Sequence, residues 1–175
     1  MKKLILSLLI AAFLVSGLSA KTAFVYFSAT GNTEKMAKNA ANAMGADIFE
    51  IQPAQKYTQA DLNWNDKNSR TTIENTDPKS RPAIANNIDI SDYDTIILCY
   101  PIWRANAPKI MYTFVESKNW KNKKIITLCT SGSSGLGNSG TNLAKSAKGA
   151  KFLGGNDFTR GSAADVKKFI EDLLK

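Results

Sequence analysis

The stretch that decides the fold is 22–44, TAFVYFSATGNTEKMAKNAANAM. It opens with a short apolar, β-prone run at 22–27 and continues with a turn of small polar residues at 28–33. From 34 to 44 the apolar residues recur at helical spacing, and Gly45 follows as a typical helix stop. The stretch therefore predicts a strand, a tight turn and a helix.

The same strand-then-helix unit recurs along the rest of the chain. Short apolar runs predict strands at 47–51, 94–100, 124–129 and 150–153. Helices are predicted at 109–116, at 141–148 and from Ser162 onward, where Ser162 and Asp165 have the spacing of a capping box. Alternating strands and helices predict an α/β fold: a doubly wound parallel sheet with helices on both faces.

The polar segment 52–93 interrupts this alternation and is rich in Asn, Asp and Thr. We predict a helix near 58–75 and then a surface loop, with Arg70 and Glu74 paired four residues apart. Tyr57 and Trp64 are predicted to fold inward over the edge of the sheet. The alternative is that they form a wall for a substrate or partner.

The composition limits the chemistry that the side chains can supply. The 175 residues carry a net charge of +8 and include no histidine and two cysteines. This excludes catalysis by histidine, metal sites with histidine ligands, and sites built from four thiolates. Redox chemistry, if present, would need an organic cofactor.

The first twenty residues have the layout of a secretory signal peptide. Lys2 and Lys3 precede an apolar run at 4–15, and small residues follow up to Ala20. Cleavage there would leave 21–175 as one domain, with no membrane span, exported to the periplasm or secreted. The alternative is an uncleaved N-terminal anchor.

Three loops follow the predicted strands at the edge where doubly wound sheets bind ligands. The first, at 28–33, offers hydroxyls, backbone amides and Gly31 but no cation, which suits a phosphate monoester. It matches neither a Walker motif nor the GxGxxG turn, and a plain turn is the alternative.

The second and third loops suit a flat ring. The second places Trp103 between Pro101 and Pro108, as a stiff aromatic plate that a planar ligand could stack on. A tryptophan folded back onto the core is the alternative. The third, at 130–140, holds four glycines, so its backbone could reach the edge of a heterocycle; a flexible linker is the alternative.

Together the three loops resemble those of the flavodoxin family, and the resemblance covers nearly all of 21–175. A bacterial subgroup of that family also carries a segment like the one from Tyr57 to Pro82. The resemblance implies a flavodoxin-like five-stranded sheet of order 2-1-3-4-5, one non-covalent FMN and electron transfer. It places the phosphate on Ser28, Thr30, Gly31, Asn32 and Thr33, and the ring against Pro101, Ile102, Trp103, Arg104 and Ala105, with Thr130, Ser131, Gly132, Ser133 and Gly135 at its edge.

The sequence departs from the family pattern in several places. Arg104-Ala105 stands where the subgroup tends to have a second Trp and a small residue, and the third loop lacks the usual Tyr. The chain is also basic and carries an export signal, whereas most flavodoxins are acidic and cytoplasmic. Arg104 is expected either to lie at the ring edge, raising the second one-electron potential, or to point into solvent and dock an acidic partner.

Three functions remain open from the sequence. The first is an FMN electron carrier that serves a redox protein partner or a small-molecule electron acceptor. The second is an FMN-dependent reductase of quinones or other small acceptors, which the missing loop aromatic favours. The third is a flavin- or ligand-binding module without turnover. No nucleic acid is expected, because the basic residues are scattered apart from those at 121–124.

Cys99 and Cys129 end neighbouring strands in the implied order. We predict two buried, reduced thiols. A disulfide or a redox dithiol beside the flavin is the alternative.

Overall fold

The computed structural model describes residues 20–175; the predicted signal peptide lies outside them, apart from Ala20. Within this range strands and helices alternate in chain order. They are β1 (Thr22–Tyr26), α1 (Asn32–Met44), β2 (Asp47–Glu50), α2 (Arg70–Thr76), β3 (Thr95–Pro101), α3 (Lys109–Glu116), β4 (Lys124–Thr130), α4 (Ser139–Ser146), β5 (Lys151–Asp157) and α5 (Ala163–Leu174).

The strands form one parallel sheet in the order β2-β1-β3-β4-β5, which confirms the predicted fold class. β3 and β4 are buried along nearly their whole length. Because successive side chains of a strand point to opposite faces, such strands need cover on both sides.

Helices provide that cover on both faces. On one face Ala37 of α1 and Ile170 of α5 pack with Phe24 of β1. On the other face Phe114 of α3 and Leu143 of α4 pack over the sheet. The strand order reverses between β1 and β3, so the carboxyl ends of these strands open a crevice where ligands bind in such sheets.

The last strand is longer than predicted, since β5 continues four residues past 153 to Asp157. The second half of β5 is missed in the sequence because two glycines lie in the middle of the strand, and glycine weakens a strand pattern. Gly155 is required there: a Cβ at this position would lie 2.1 Å from the Thr127 hydroxyl. The residues after Asp157 thus leave the same sheet edge as the three predicted loops.

The predicted helix near 58–75 is wrong over most of its length, and only Arg70–Thr76 is helical. Side chains bond to nearby backbone instead: the Asp61 carboxylate accepts from the Thr58 amide, and the Asn63 side chain accepts from the Asn65 amide. Such local hydrogen bonds favour turns over a helix. The segment follows the surface as a series of turns.

Tyr57 and Trp64 behave differently from each other. Tyr57 packs against the core, as predicted, whereas Trp64 is 71% exposed, so its predicted inward position is wrong. The predicted pair is present, with Arg70 Nε 2.7 Å from Glu74 Oε1. It is mostly buried, and the Tyr57 hydroxyl donates to the other Glu74 oxygen at 2.8 Å.

The two cysteines are buried and free, as predicted. In the β3–β4 register Cys129 stands opposite Tyr100, while Cys99 stands opposite Leu128. The cysteines therefore point to opposite faces of the sheet, where no disulfide can join them. Burial raises the pKa of both thiols, that of Cys129 to about 12, so both stay protonated.

Candidate functional site

Loops from the carboxyl ends of β1, β3 and β4 meet around a cavity of about 680 Å³, a size typical of ligand sites. Each of the three predicted loops contributes to its wall. The predicted residues that line this main cavity are Thr30, Asn32, Pro101, Ile102, Thr130, Ser131 and Gly132.

The first loop presents an anion-binding helix start. Gly31 is the N-cap of α1 in a left-handed conformation, with φ 87°, and it offers no side chain to cap the helix. The amides of Asn32, Thr33 and Glu34 find no acceptor among residues 20–175. Uncapped amides at a helix N-terminus suit a phosphate group, and the open space beside Gly31 leaves room for one.

The hydroxyls of this loop have distinct environments. Ser28 Oγ accepts from the Gly31 amide at 3.1 Å and so shapes the loop itself. Thr33 is buried, and its Oγ1 lies 2.7 Å from Oγ1 of buried Thr130, which joins the first loop to the third. Thr30 is exposed at the rim of the cavity, where its hydroxyl can reach a ligand.

The second loop holds Trp103 firmly in place. Its ring makes edge contacts with Phe27 and Tyr57, with centroids 5.5 and 5.1 Å apart. Trp103 and Asn106 exchange backbone hydrogen bonds of 2.9 and 3.0 Å across a tight turn. Trp103 is thus packed against the core on one side and still lines a cavity on the other.

That second cavity, which we call the aromatic cleft, has a volume of about 330 Å³. Apolar side chains from two segments form most of its wall: Leu62 and Trp64 from one, Ile102 and Trp103 from the other. Ile102 and Thr30 line both the cleft and the main cavity, so the two cavities adjoin at these residues.

Arg104 is an exposed residue, but its guanidinium is held by hydrogen bonds to the fold, so both the ring-edge role and the docking role stay predictions. Its Nη2 donates to the Trp64 carbonyl at 2.8 Å and to the Thr72 hydroxyl at 3.0 Å. Arg104 also lines the aromatic cleft. Its effect on a reduction potential stays a prediction.

The third loop is held by its own hydroxyls. The Ser131 amide donates to Thr159 Oγ1 at 2.7 Å, and Ser131 Oγ accepts from the Gly135 amide at 3.0 Å. Ser133 and Gly135 lie away from the main cavity, Ser133 lining an adjoining depression and Gly135 facing Asp157.

Other predicted residues also lie outside the main cavity. Ser28 lines a separate cavity beside Tyr57, and Trp103 and Arg104 line the aromatic cleft. Ala105 lies exposed in the turn beside them.

Sequence reasoning missed the fourth loop, which follows β5. Its residues 158–161 line the main cavity, as do Lys35 and Asn39 of α1. A strand recognised as continuing past 153 would have revealed this loop, but the glycines of β5 weaken the strand pattern there. The charged side chains that line the main cavity, Lys35 and Arg160, are both cations.

Two further properties concern the described residues alone. Between residues 20 and 175 no cluster of His, Cys, Asp or Glu is arranged to hold a metal ion. None of the helices in that range has the length and apolar character needed to cross a membrane.

The chain is similar to several solved flavoproteins. It is 39% identical to a candidate flavoprotein from Bacteroides eggerthii, covering 90% of this chain and 99% of that one, with a TM-score of 0.85. It is 42% identical to another from Bacteroides uniformis, covering 87% and 98%, with a TM-score of 0.82. A flavoprotein in complex with FMN from Lactobacillus acidophilus shares the fold, at 20% identity, coverage of 90% and 100%, and a TM-score of 0.69.

No curated protein matches the chain significantly. The family model for flavodoxin matches residues 21–173, nearly all of the described chain. The parallel sheet of order β2-β1-β3-β4-β5 and the loops at its carboxyl edge agree with that match. The chain belongs to the flavodoxin family.

Proposed function

We propose that this protein binds one FMN without a covalent bond and carries electrons between redox partners. Family membership and the first loop support the cofactor. A bound flavin supplies one-electron and two-electron redox chemistry, and its reduced ring tends to carry a negative charge. The chain's own residues bind, orient and electrostatically tune it.

The phosphate would rest on the uncapped start of α1. The amides of Asn32 and Thr33 and the Thr30 hydroxyl supply neutral donors, and the helix dipole favours the charge. The ring would lie against Trp103 with Ser131 and Gly132 near its edge. This arrangement uses the shared wall between the two cavities, so one ligand could extend from one into the other.

The observation that supports the carrier role is the positive charge of the walls of the main cavity and the aromatic cleft. Lys35 and Arg160 line the main cavity, Arg104 lines the cleft, and their other lining side chains are uncharged. Cations stabilise a cofactor that gains negative charge on reduction. The nearby acid, Asp157, lines the adjoining depression and accepts hydrogen bonds from Thr159, so it is not aimed at the main cavity as a proton donor.

An FMN-dependent reductase of quinones or other small acceptors is the second candidate. The third loop favours it, because residues 130–140 carry no aromatic side chain and Gly132 is exposed beside the cavity. Small residues there would leave space for an acceptor next to the flavin.

The two candidates differ in turnover. The protein would be reconstituted with FMN and incubated with NADPH or NADH and a quinone, with free FMN at equal concentration as control. A carrier should show no turnover above the control, but after photoreduction it should pass electrons to a one-electron haem protein. Steady quinone reduction above the control would support the reductase, and failure to take up FMN would overturn both candidates.

We also propose that the protein works outside the cytoplasm, in the periplasm or after secretion. The support is the sequence of residues 1–20. The redox partner would then be a protein or small acceptor of that compartment. Mass spectrometry of protein purified from cell fractions tests this: a chain beginning at Lys21 in the exported fraction is expected, and a full-length chain in the cytoplasm would contradict it.

A further inference from the structure

We propose that Arg104 is a positioning residue: it holds Trp64 opposite Trp103, so that the two tryptophans form the two walls of the aromatic cleft that binds the flavin ring. The inference rests on the proposed binding of FMN. It concerns Arg104 because this residue departs from the family pattern and joins two segments far apart in the chain.

The turn that carries Arg104 is strained in a specific way. Arg104 has φ 47° and Ala105 has φ 62°, and the residues on either side exchange backbone hydrogen bonds. Two successive left-handed residues form a type I′ turn, which Asn and Gly occupy more easily than Arg and Ala. The turn directs the Arg104 side chain toward the segment that bears Trp64.

Arg104 makes a hydrogen bond that ties the Trp64 backbone to the rest of the fold. Its Nη2 donates to the Trp64 carbonyl and also to Thr72 Oγ1. Thr72 is buried, and its hydroxyl also accepts from Ser69 at 2.9 Å. One end of this link is therefore fixed in the fold, whereas Trp64 lies on the exposed turns between residues 58 and 69.

The two tryptophan walls of the cleft are held by different means. Trp103 is fixed by its contacts with Phe27 and Tyr57. Trp64 is 71% exposed, so its own packing does little to fix it. Thr71 anchors the segment at Asp61, three residues earlier, and the bond from Arg104 holds the Trp64 backbone itself. Trp64 is an exposed aromatic side chain beside an apolar cleft, and a planar ring bound there would cover both the tryptophan and the cleft.

The position of the cleft identifies which ring it would take. Thr30 of the first loop lies in its wall, and the same residue lines the main cavity beside the uncapped helix start. A ligand with its phosphate at α1 would have its flat ring within reach of Trp64 and Trp103. The isoalloxazine ring of FMN is that ring, so Arg104 would act on the ring end of the ligand and not on the phosphate end.

The test is a double-mutant cycle on ligand affinity. Apo-protein with the wild-type sequence, Arg104→Gln, Trp64→Ala or both changes is titrated with FMN and with riboflavin, following flavin fluorescence. We expect Arg104→Gln to raise both dissociation constants by a similar factor, about tenfold, with the thermal midpoint of the apo-protein unchanged. When Trp64 is already replaced by Ala, Arg104→Gln should change the dissociation constants little further, because Arg104 acts by positioning the Trp64 side chain.

Two more variants sharpen the cycle. Arg81→Gln removes the same charge at a surface pair with Glu116 and should leave both affinities unchanged. Thr72→Val removes one of the two acceptors of Arg104 and should weaken both ligands in the same direction, but less.

Three outcomes would overturn the inference. These are wild-type affinity in Arg104→Gln, an effect on FMN but not on riboflavin, or equal effects of Arg104→Gln with and without Trp64. Wild-type protein that takes up no FMN would instead overturn the proposed function itself.

Discussion

Two threonines of the first loop should differ in what they contribute. Thr30→Ala removes an exposed hydroxyl at the cavity rim, and we expect FMN affinity to fall by about 1–3 kcal/mol while the free energy of unfolding stays unchanged. Thr33→Ala leaves the buried Thr130 hydroxyl without its partner, so it should lower the free energy of unfolding of the apo-protein by about 1–3 kcal/mol.

Calorimetric titration with FMN and riboflavin, alongside urea unfolding of the apo-proteins, separates the two threonine effects. Riboflavin, which lacks the phosphate, should bind far more weakly than FMN. It should respond to Thr30→Ala less than FMN does, because only the contact of Thr30 with the aromatic cleft is then lost. Equal affinities of the wild-type protein for FMN and riboflavin would contradict the assignment of the first loop to the phosphate.

The cysteines should be inert in the folded protein. Cys99 and Cys129 are buried on opposite faces of the sheet, and burial raises the pKa of both thiols. Thiolate is the reactive form, so a thiol reagent at neutral pH should label neither residue until the protein unfolds. Titration in denaturant without reductant should then find two thiols per chain, and finding none would mean that the register argument is wrong.

At the scale of elements, the short helix α2 depends on tertiary contacts. It has seven residues, too few for a stable isolated helix. Glu74 is mostly buried and holds both Arg70 and the Tyr57 hydroxyl, while the Arg70 guanidinium lies 3.9 Å from the centre of the Tyr57 ring. The cluster joins α2 to the start of the segment.

We therefore expect Glu74→Ala to lower the free energy of unfolding by about 2 kcal/mol or more, because it leaves a partly buried cation and a hydroxyl without their partner. Asp172→Ala is the control: it removes an equally charged partner from exposed pairs with Lys168 and Lys175, and it should change nothing measurable. Equal effects of the two substitutions in urea unfolding would argue against the cluster.

The elements show where sequence patterns are reliable. Period and polarity predicted alternating strands and helices, the family resemblance implied the strand order, and the capping box of Ser162 and Asp165 is present as predicted. The 58–75 helix failed because side-chain bonds such as Asp61 to Thr58 compete locally with helix formation. The end of β5 was missed because Gly154 and Gly155 lack strand propensity, although packing against Thr127 requires Gly155.

The candidate site was predictable to the extent that it is local in the sequence. The uncapped turn at Gly31 and the position of Ile102 after a buried strand could be recognised from short stretches. The contact of Arg104 with Trp64 spans forty positions, and no pattern in either segment signals it. The same holds for Arg160, whose loop reaches the cavity only because β5 ends beside β4.

At the scale of the whole molecule, the net charge should decide the kind of partner: it is +8 for the full sequence, and the loss of Lys2 and Lys3 with residues 1–20 leaves +6. Cations at the cavity, Lys35 and Arg160, would steer an acidic acceptor protein to it. We expect the second-order rate of electron transfer to such an acceptor to fall by about tenfold or more as ionic strength rises from about 0.01 M to about 0.3 M. Stopped-flow mixing with an acidic and a basic haem protein measures this, and faster transfer at high salt to the acidic one would contradict it.

A spectroelectrochemical titration of the reconstituted protein decides whether this flavodoxin-family chain is an FMN electron carrier. We expect one FMN per chain and two separate one-electron steps, each with a Nernst slope of about 59 mV per decade. A protein that takes up no FMN, or whose bound flavin is reduced in a single two-electron step of about 30 mV per decade, is not a one-electron FMN carrier.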